Sequence, residues 1–482
     1  MKFKTTVILL IVFMGLLAFI FLFDVKDVGK EEPGDKLVDL RSEDVERILF
    51  KTEEQTITFQ REGEDDWLIS EPIEAKADKF EVDPIARDFS SLDIDRVVEE
   101  EPADLEKYGI PQKEISLKFK DKEEPVKVLV GMESPLDQKF FAKREDETRV
   151  VLISSTHKTL FAKKVFDFRE KKIFQFEADE VKGIKLQSGD IQWEAEKLEE
   201  EWHLKKPVES LAEKSEISSI LSSLSDLKAK EFVSEEKNDE DINKFMLDNP
   251  RHTVTLQMPL QNQEVTFLIQ KSEDKLFATT SLSPKIIEVE DTIISKLEKD
   301  PLEMREKEVA DFYSWEVNKV SLERGDLSIT VLEDEEADKW HFDSTDKEEA
   351  DKDKIEEFVR KIEALEAEEF IDPPLDLMEF GLEPPKTKIA IWIKGDEEQS
   401  AEVTVLIGNT IEERAEKELD DNEEVTPDET EGAEDKEEVK KFVFVKNDRF
   451  DYLFKVDAGF LDLLPEKKDD WKKAEESEEN QE

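Results

Sequence analysis

Four histidines are the only imidazoles in a chain of 482 residues, so base catalysis or nitrogen ligation of a metal would have to pass through them. His203 and His341 each follow a tryptophan, in WHL (202–204) and WHF (340–342). The same pattern occurs a third time as WLI (67–69), with Leu68 in the histidine's place. An apolar side chain cannot stand in for a ligand, so both histidines read as structural. His157 and His252 have no partner at a metal-ligand spacing such as H-x-x-x-H. Nucleophiles are equally unsupported. There is no cysteine, which removes disulfides, thiolate sites and thiol chemistry. No G-x-S-x-G is present, and the serines of SSILSSLSDL (218–227) fall on the polar face of a helical pattern. Only 14 glycines are available, and no phosphate-cradling glycine loop is found among them. Carboxylates are too plentiful to single out a pair, with 126 Asp and Glu against 70 Lys and Arg. The densest acidic stretch, 412–438, lacks the D-x-[DN]-x-[DN]-G order of a calcium loop, which leaves diffuse cation condensation. No catalytic, cofactor-binding or metal-ligating residue is therefore assigned, and no cofactor is expected.

The recurring tryptophans lead from chemistry to architecture. FREKKIFQFEADEVKGIKLQSGD (168–190) and MREKEVADFYSWEVNKVSLERGD (304–326) align without a gap at an offset of 136 residues, identical at nine of 23 positions. A further step back reaches DVERILF (44–50), with Val45, Ile48 and Phe50 in register. After each comes the tryptophan (Trp67, Trp202, Trp340), better explained by core packing than by a glycan or peptide platform, since a core needs the same residue in every copy. An amphipathic helix follows. Its apolar positions are Ile217, Ile220, Leu221, Leu224 and Leu227 in the second copy and Ile355, Phe358, Val359, Ile362 and Leu365 in the third. That is the i, i+3, i+4, i+7 spacing of a one-faced helix. The first copy is weaker, with Ile85, Phe89 and Leu92.

Next is a short motif, LEKYGIP (105–111), INKFMLDNP (242–250) and LMEFGLEPP (377–385). Gly109 and Gly381 fit the left-handed residue that ends a helical turn. Met246 takes that place in the middle copy, so its turn must differ or carry strain. Alternating, β-branched segments then predict strands: ISLKF (115–119), VTLQM (254–258) and IAIWI (389–393), then VKVLVG (126–131), VTFLIQ (265–270) and VTVLIG (403–408). A further strand and a short closing helix follow, as in KLFAT (275–279) and TIISKLEK (292–299). The near-duplicate passage is the seam between copies: its REK closes one and its E-V-x-x-I/V-x-L-x-x-G-D opens the first hairpin of the next.

Outside the copies, residues 5–23 form a run of 19 uncharged, mostly apolar residues preceded by Lys2 and Lys4 and followed by an acid-rich stretch. At ~1.5 Å per residue this spans most of a bilayer core. The positive-inside rule keeps the short N-terminus cytoplasmic and exports the rest. A cleaved signal peptide is the alternative, but the run is longer than a signal core and no small-x-small site follows it. A formal charge of −56 repels nucleic acid and anionic surfaces. Salt adaptation is a weaker explanation of that charge, because only 14 of the 70 bases are arginine and lysine is plentiful.

The expected organisation is α+β: a transmembrane helix followed by three tandem mixed α+β units with antiparallel-rich sheets. Residues 1–4 are cytoplasmic, 5–23 cross the membrane and 24–36 form an acidic stem. Units occupy 37–172, 173–308 and 309–472, the third carrying a disordered acidic insert at 409–440, and 473–482 form a disordered tail. The anchor, the tandem units and the W-(helix)-L-x-x-Y-G-I/L-x-x-P motif together resemble the family called domain of unknown function 4340. Members of that family are often encoded beside ABC transporters of the gliding-motility kind. The resemblance thus implies a transporter permease, or its exported companion, as partner, and offers no catalytic residues to transfer. The expected function is a non-enzymatic, membrane-anchored extracytoplasmic auxiliary or scaffolding subunit of an envelope complex, in the periplasm or at the cell surface. The alternatives are an exported hydrolase using unidentified carboxylates and an acidic cation-binding surface protein.

Overall fold

The computed structural model describes residues 35–136, 138–259, 263–394, 403–414 and 439–474. The apolar run 5–23 and most of the stem lie outside them. Among the described residues no helix is long and apolar enough to cross a membrane. The chain divides into two compact bodies, Met1–Lys172 and Ile173–Glu482. The first holds one copy of the repeat and the second holds two.

Each copy is a nine-stranded, wholly antiparallel sheet, and the strand order is the same three times. In the first copy it runs Ala75–Lys76, Asp66–Glu71, Thr56–Glu62, Val45–Lys51, Lys113–Phe119, Val126–Glu133, Phe140–Arg144, Val150–Ile153, Arg96–Glu99. Two meanders thus meet at the sheet centre. Between them the chain crosses over through a 12-residue helix and lays down the far edge strand before the second meander begins. The helices are Lys79–Ser90, Lys214–Ser225 and Lys352–Glu363. With one long helix per copy, the expected α+β balance shifts toward sheet. The strands Ala75–Lys76 and Arg96–Glu99, and their counterparts Ser210–Leu211, Glu349–Ala350, Glu231–Ser234 and Glu369–Ile371, are too short to show periodicity.

Register explains why the seam hairpin recurs. Phe50, Leu186 and Leu322 sit at the same place in their sheets. They are flanked across the strands by Ile57 and Ile115, by Trp193 and Val254, and by Ile329 and Ile389. All nine side chains are buried, each stabilising by roughly 1.5–3 kcal/mol relative to exposure. Every residue expected on the core face of these helices is buried, but Leu92, Leu227 and Leu365 lie past the helix ends, Leu92 on the strand Ser91–Asp93. An acidic N-cap starts each helix: Asp78, Glu213 and Asp351 accept hydrogen bonds from the backbone N–H of Phe80, Ser215 and Lys354. The cap residue's own N–H donates to the carbonyl of the copy's closing residue, Asp78 to Phe168 at 2.8 Å, Glu213 to Met304 at 2.9 Å and Asp351 to Trp471 at 2.8 Å. These closing side chains are all buried.

The acidic insert is narrower than 409–440. Strands Val403–Arg414 and Val439–Asn447 continue the hairpin through Thr410↔Val443, Ile411↔Phe442, Glu412↔Lys441 and Glu413↔Lys440. Opposite charges facing across the ladder favour pairing there, where the charge density alone had suggested disorder. Residues 415–438 lie outside the described residues. The ends of the other flanking segments are also ordered: Lys36–Asp39 pairs with Ser91–Asp93, and the N–H of Lys473 donates to the Glu349 carbonyl at 3.3 Å. Residues 475–482 lie outside the described residues.

Candidate functional site

His203, His252 and His341 lie on strands, His157 in a 3-10 turn and the serines of 218–225 on a helix. His157 is buried against the Phe89 ring, centroids 4.9 Å apart, and His252 is buried with Nδ1 2.8 Å from Ser188 Oγ. Burial lowers the pKa of both imidazoles, so both stay neutral near pH 7. His203 and His341 are half-buried on the strand face opposite Trp202 and Trp340; His203 Nε2 lies 3.9 Å from Glu201. No group of three His, Asp or Glu among the described residues is placed to hold a metal. Of the helix serines, Ser223 donates to the Ser219 carbonyl, Ser225 donates to the Phe176 carbonyl, and Ser219 Oγ accepts from Lys296 Nζ at 2.7 Å. These bonds tie the helix to its surroundings.

The motif glycines make a matched pair with a second glycine on the neighbouring strand. Gly109 has φ +63° and Gly381 φ +70°, as a left-handed turn end requires. A Cβ on Gly131 would run into the Tyr108 carbonyl oxygen, and one on Gly408 into that of Phe380. The middle copy replaces both members, with Met246 and Gln270. Met246 keeps the left-handed conformation at φ +54°, so strain, and not a different turn, is the outcome.

The seam between the second and third copies is where the structure gathers groups that the sequence could not connect. Arg305, of the repeated REK, is 1% exposed. Its guanidinium donates to both carboxylate oxygens of Asp372, at 3.0 and 2.8 Å. It also lies over the Phe370 and Tyr452 rings, 3.9 and 4.6 Å from their centroids. Burial pushes the Tyr452 phenol up to about 12. The next residue, Glu306, is raised to about 7 by burial, reinforced by the charges of Glu213 and Glu308. Beside them lies a hollow of about 450 Å³ lined by Glu201, His203, Ser210, Arg449 and Tyr452. Arg449 closes it with an ion pair to Glu201 at 3.2 Å. Asn447 Nδ2 donates to the Val309 carbonyl at 2.7 Å, fixing the linker to the third sheet. The arrangement can hold two sheets in one orientation; it does not present a nucleophile with its base. The Arg shared by the two REK passages was the one local signal in the sequence. Its partner stands 67 residues on, in a segment the repeat alignment does not mark.

A chain of tandem antiparallel sheets, each sealed at a recurring seam, defines a repeat protein. The family model described as "Domain of unknown function (DUF4340)" matches residues 67–237 and again 202–385. Both matches begin at the repeat's tryptophan, and together they cover more than half of the chain. The protein belongs to this family. Comparison with curated proteins gives no match. Among solved structures, a crystal structure of the DNA polymerase sliding clamp from Pseudomonas aeruginosa with ligand is similar at 8% identity. That match covers 87% of this chain and 93% of that one with a TM-score of 0.14, a likeness too slight to carry an argument.

Proposed function

We propose that the protein is a membrane-anchored extracytoplasmic scaffold, an auxiliary subunit that presents its repeats to an envelope complex. The observation that carries the reading is the threefold recurrence of one strand order. The apolar residues shared between copies, such as Val181/Val317 and Leu186/Leu322, are buried for packing, as expected of a scaffold whose outer surface is free to diverge for binding. Repeated units offer several related surfaces suited to protein partners. The apolar run 5–23 and its flanking charges support the anchor and its orientation. An ABC-type transporter permease, or that transporter's exported companion, is the partner the family resemblance implies. In-cell crosslinking of the full-length chain, followed by identification of the attached proteins, tests this. Recovery of the permease or its companion is expected. A parallel chain with residues 1–23 replaced by a cleavable signal shows whether the anchor or the repeats hold the complex. If no integral membrane protein is recovered with either chain, the scaffold reading is wrong.

A further inference from the structure

In the first copy the repeat's tryptophan is fully satisfied. Trp67 Nε1–H donates to Asp83 Oδ1 at 2.8 Å, and Asp83 is the fifth residue of its helix. In the third copy the fifth helix residue is Glu356, and its longer side chain is engaged elsewhere. It pairs along the helix with Lys352 and with Arg360, each at 3.6 Å. Trp340 is 3% exposed, and its Nε1–H has no hydrogen-bond partner among the described residues. A buried donor left unmade costs roughly 1–3 kcal/mol, so something is gained by supplying an acceptor there.

A hollow of about 250 Å³ lies at this point, lined by Trp340, Glu333, Asp338, Lys352, Glu356 and Arg360. Trp315, also part of the lining, is 67% exposed and stacks on Tyr313 with centroids 4.5 Å apart and planes 16° from parallel. This aromatic pair belongs to the third copy alone. The seam alignment puts Glu177 and Asp179 in its place in the second copy, and Arg41 and Glu43 in the first. An unpartnered buried donor and the exposed Trp315 ring, half of a stacked pair peculiar to this copy, therefore converge on one hollow.

We infer that this hollow binds a neutral pyranose sugar of a glycan. The charged lining is mixed: Lys352 is paired with Asp338 and Glu356, and Glu333 with Lys394 at 2.8 Å. An anion entering would meet three carboxylates. A cation would meet two bases and an indole N–H that needs an acceptor. A sugar hydroxyl both accepts and donates, so it takes the Trp340 proton while giving its own to a carboxylate. The apolar C–H face of the ring covers the exposed face of Trp315, the use to which a surface ring of large apolar area is suited. The volume falls below the ~300–1,000 Å³ of drug-sized sites, which leaves room for one ring with the rest of the glycan outside.

The test uses the full-length protein, labelled with ¹⁵N at its tryptophan indoles and kept free of sugar-headed detergents. Maltose, cellobiose, lactose and chitobiose are titrated to high millimolar concentration. The indole signals of Trp340 and Trp315 are assigned from Trp340→Phe and Trp315→Ala. At least one sugar should shift both signals saturably. Trp315→Ala, which alters an exposed side chain and spares the core, should weaken that binding about tenfold, or 1.4 kcal/mol. Absence of any shift with all four sugars overturns the inference, as does unchanged affinity in Trp315→Ala. A shift produced only by arginine amide or inorganic sulfate would make the site ionic and likewise overturn it.

Discussion

Arg305 is the most consequential single side chain at the seam, and its removal can be given a magnitude. The guanidinium is buried, bidentate to Asp372 and held between two aromatic rings. Truncating one member of a buried pair costs about 3–5 kcal/mol because the other charge is left uncompensated. Asp372 retains 29% side-chain exposure, so water recovers part of that charge and the electrostatic share falls to about 2 kcal/mol. Loss of the cation–ring contacts adds roughly 1 kcal/mol. Arg305→Ala should therefore lower the local opening free energy of the seam by about 3 kcal/mol, the sum of these two contributions. Arg305→Lys, which keeps a charge but not the planar fork, should recover less than half. A chain of several units need not unfold in one step, so a global melt is a poor readout. Amide hydrogen exchange followed by mass spectrometry is the better assay. Peptides spanning 300–312, 366–374 and 449–457 should lose protection together, while those of the first copy's sheet stay unchanged. Loss below about 1 kcal/mol, the size of an exposed ion pair, would refute the argument that burial makes this contact strong. So would equal loss of protection throughout the chain.

The remaining predictions concern the turns and the seam carboxylates. Met246→Gly should stabilise the second copy by about 0.5–1 kcal/mol, since a left-handed non-glycine costs ~1–2 kcal/mol and glycine's extra chain entropy takes back part; denaturant titration checks it. Gly131→Ala and Gly408→Ala should each destabilise by about 2 kcal/mol through overpacking against a motif carbonyl. Exchange in the adjoining strands should rise, and no change in either variant would count against the matched-glycine argument. Glu306 is lifted from an ordinary 4.5 to about 7 in the folded protein, and Glu308, an exposed residue, is raised in the same direction by partial desolvation and the neighbouring carboxylates Asp311 and Glu213. A raised folded-state value gives stability that is full below about pH 4.5 and lost as pH rises through about 7. Exchange protection of the 300–312 peptide, corrected for the intrinsic pH dependence of exchange, should fall across that window, and Glu306→Gln should flatten the fall; a parallel pH profile in the variant would exclude Glu306 as the titrating group.

Much of the repeat was readable because its determinants are local. Alternation marked the central strands, the spacing of Ile217, Ile220, Leu221 and Leu224 marked a helix with one buried face, and Trp67, Trp202 and Trp340 marked a core position. The glycine turn at 109 and 381 followed from the conformation that residue allows. Non-local determinants stayed hidden. Nothing near Arg305 points to Asp372, and nothing near Trp340 shows that Glu356 would turn away from it. The edge strands Arg96–Glu99, Glu231–Ser234 and Glu369–Ile371 are held by their neighbours more than by their own composition. At 409–414 the acidic character of the insert masked a strand whose charges are matched only by lysines on the returning strand.

The hydrogen bond from each helix cap to its copy's final residues also bears on synthesis. Asp78 waits for Phe168, Glu213 for Met304 and Asp351 for Trp471. No copy is complete when its helix emerges, and the near edge of each sheet stays unsealed until the last residues of that copy follow. Three similar sequences made in succession run the risk of a strand from one pairing with another. Delayed sealing lengthens the exposure, but the two-residue strands at that edge give a stray strand little to pair with. A chain released after residue 160 should thus be degraded quickly, whereas one released after residue 172 should persist as a protease-resistant first copy.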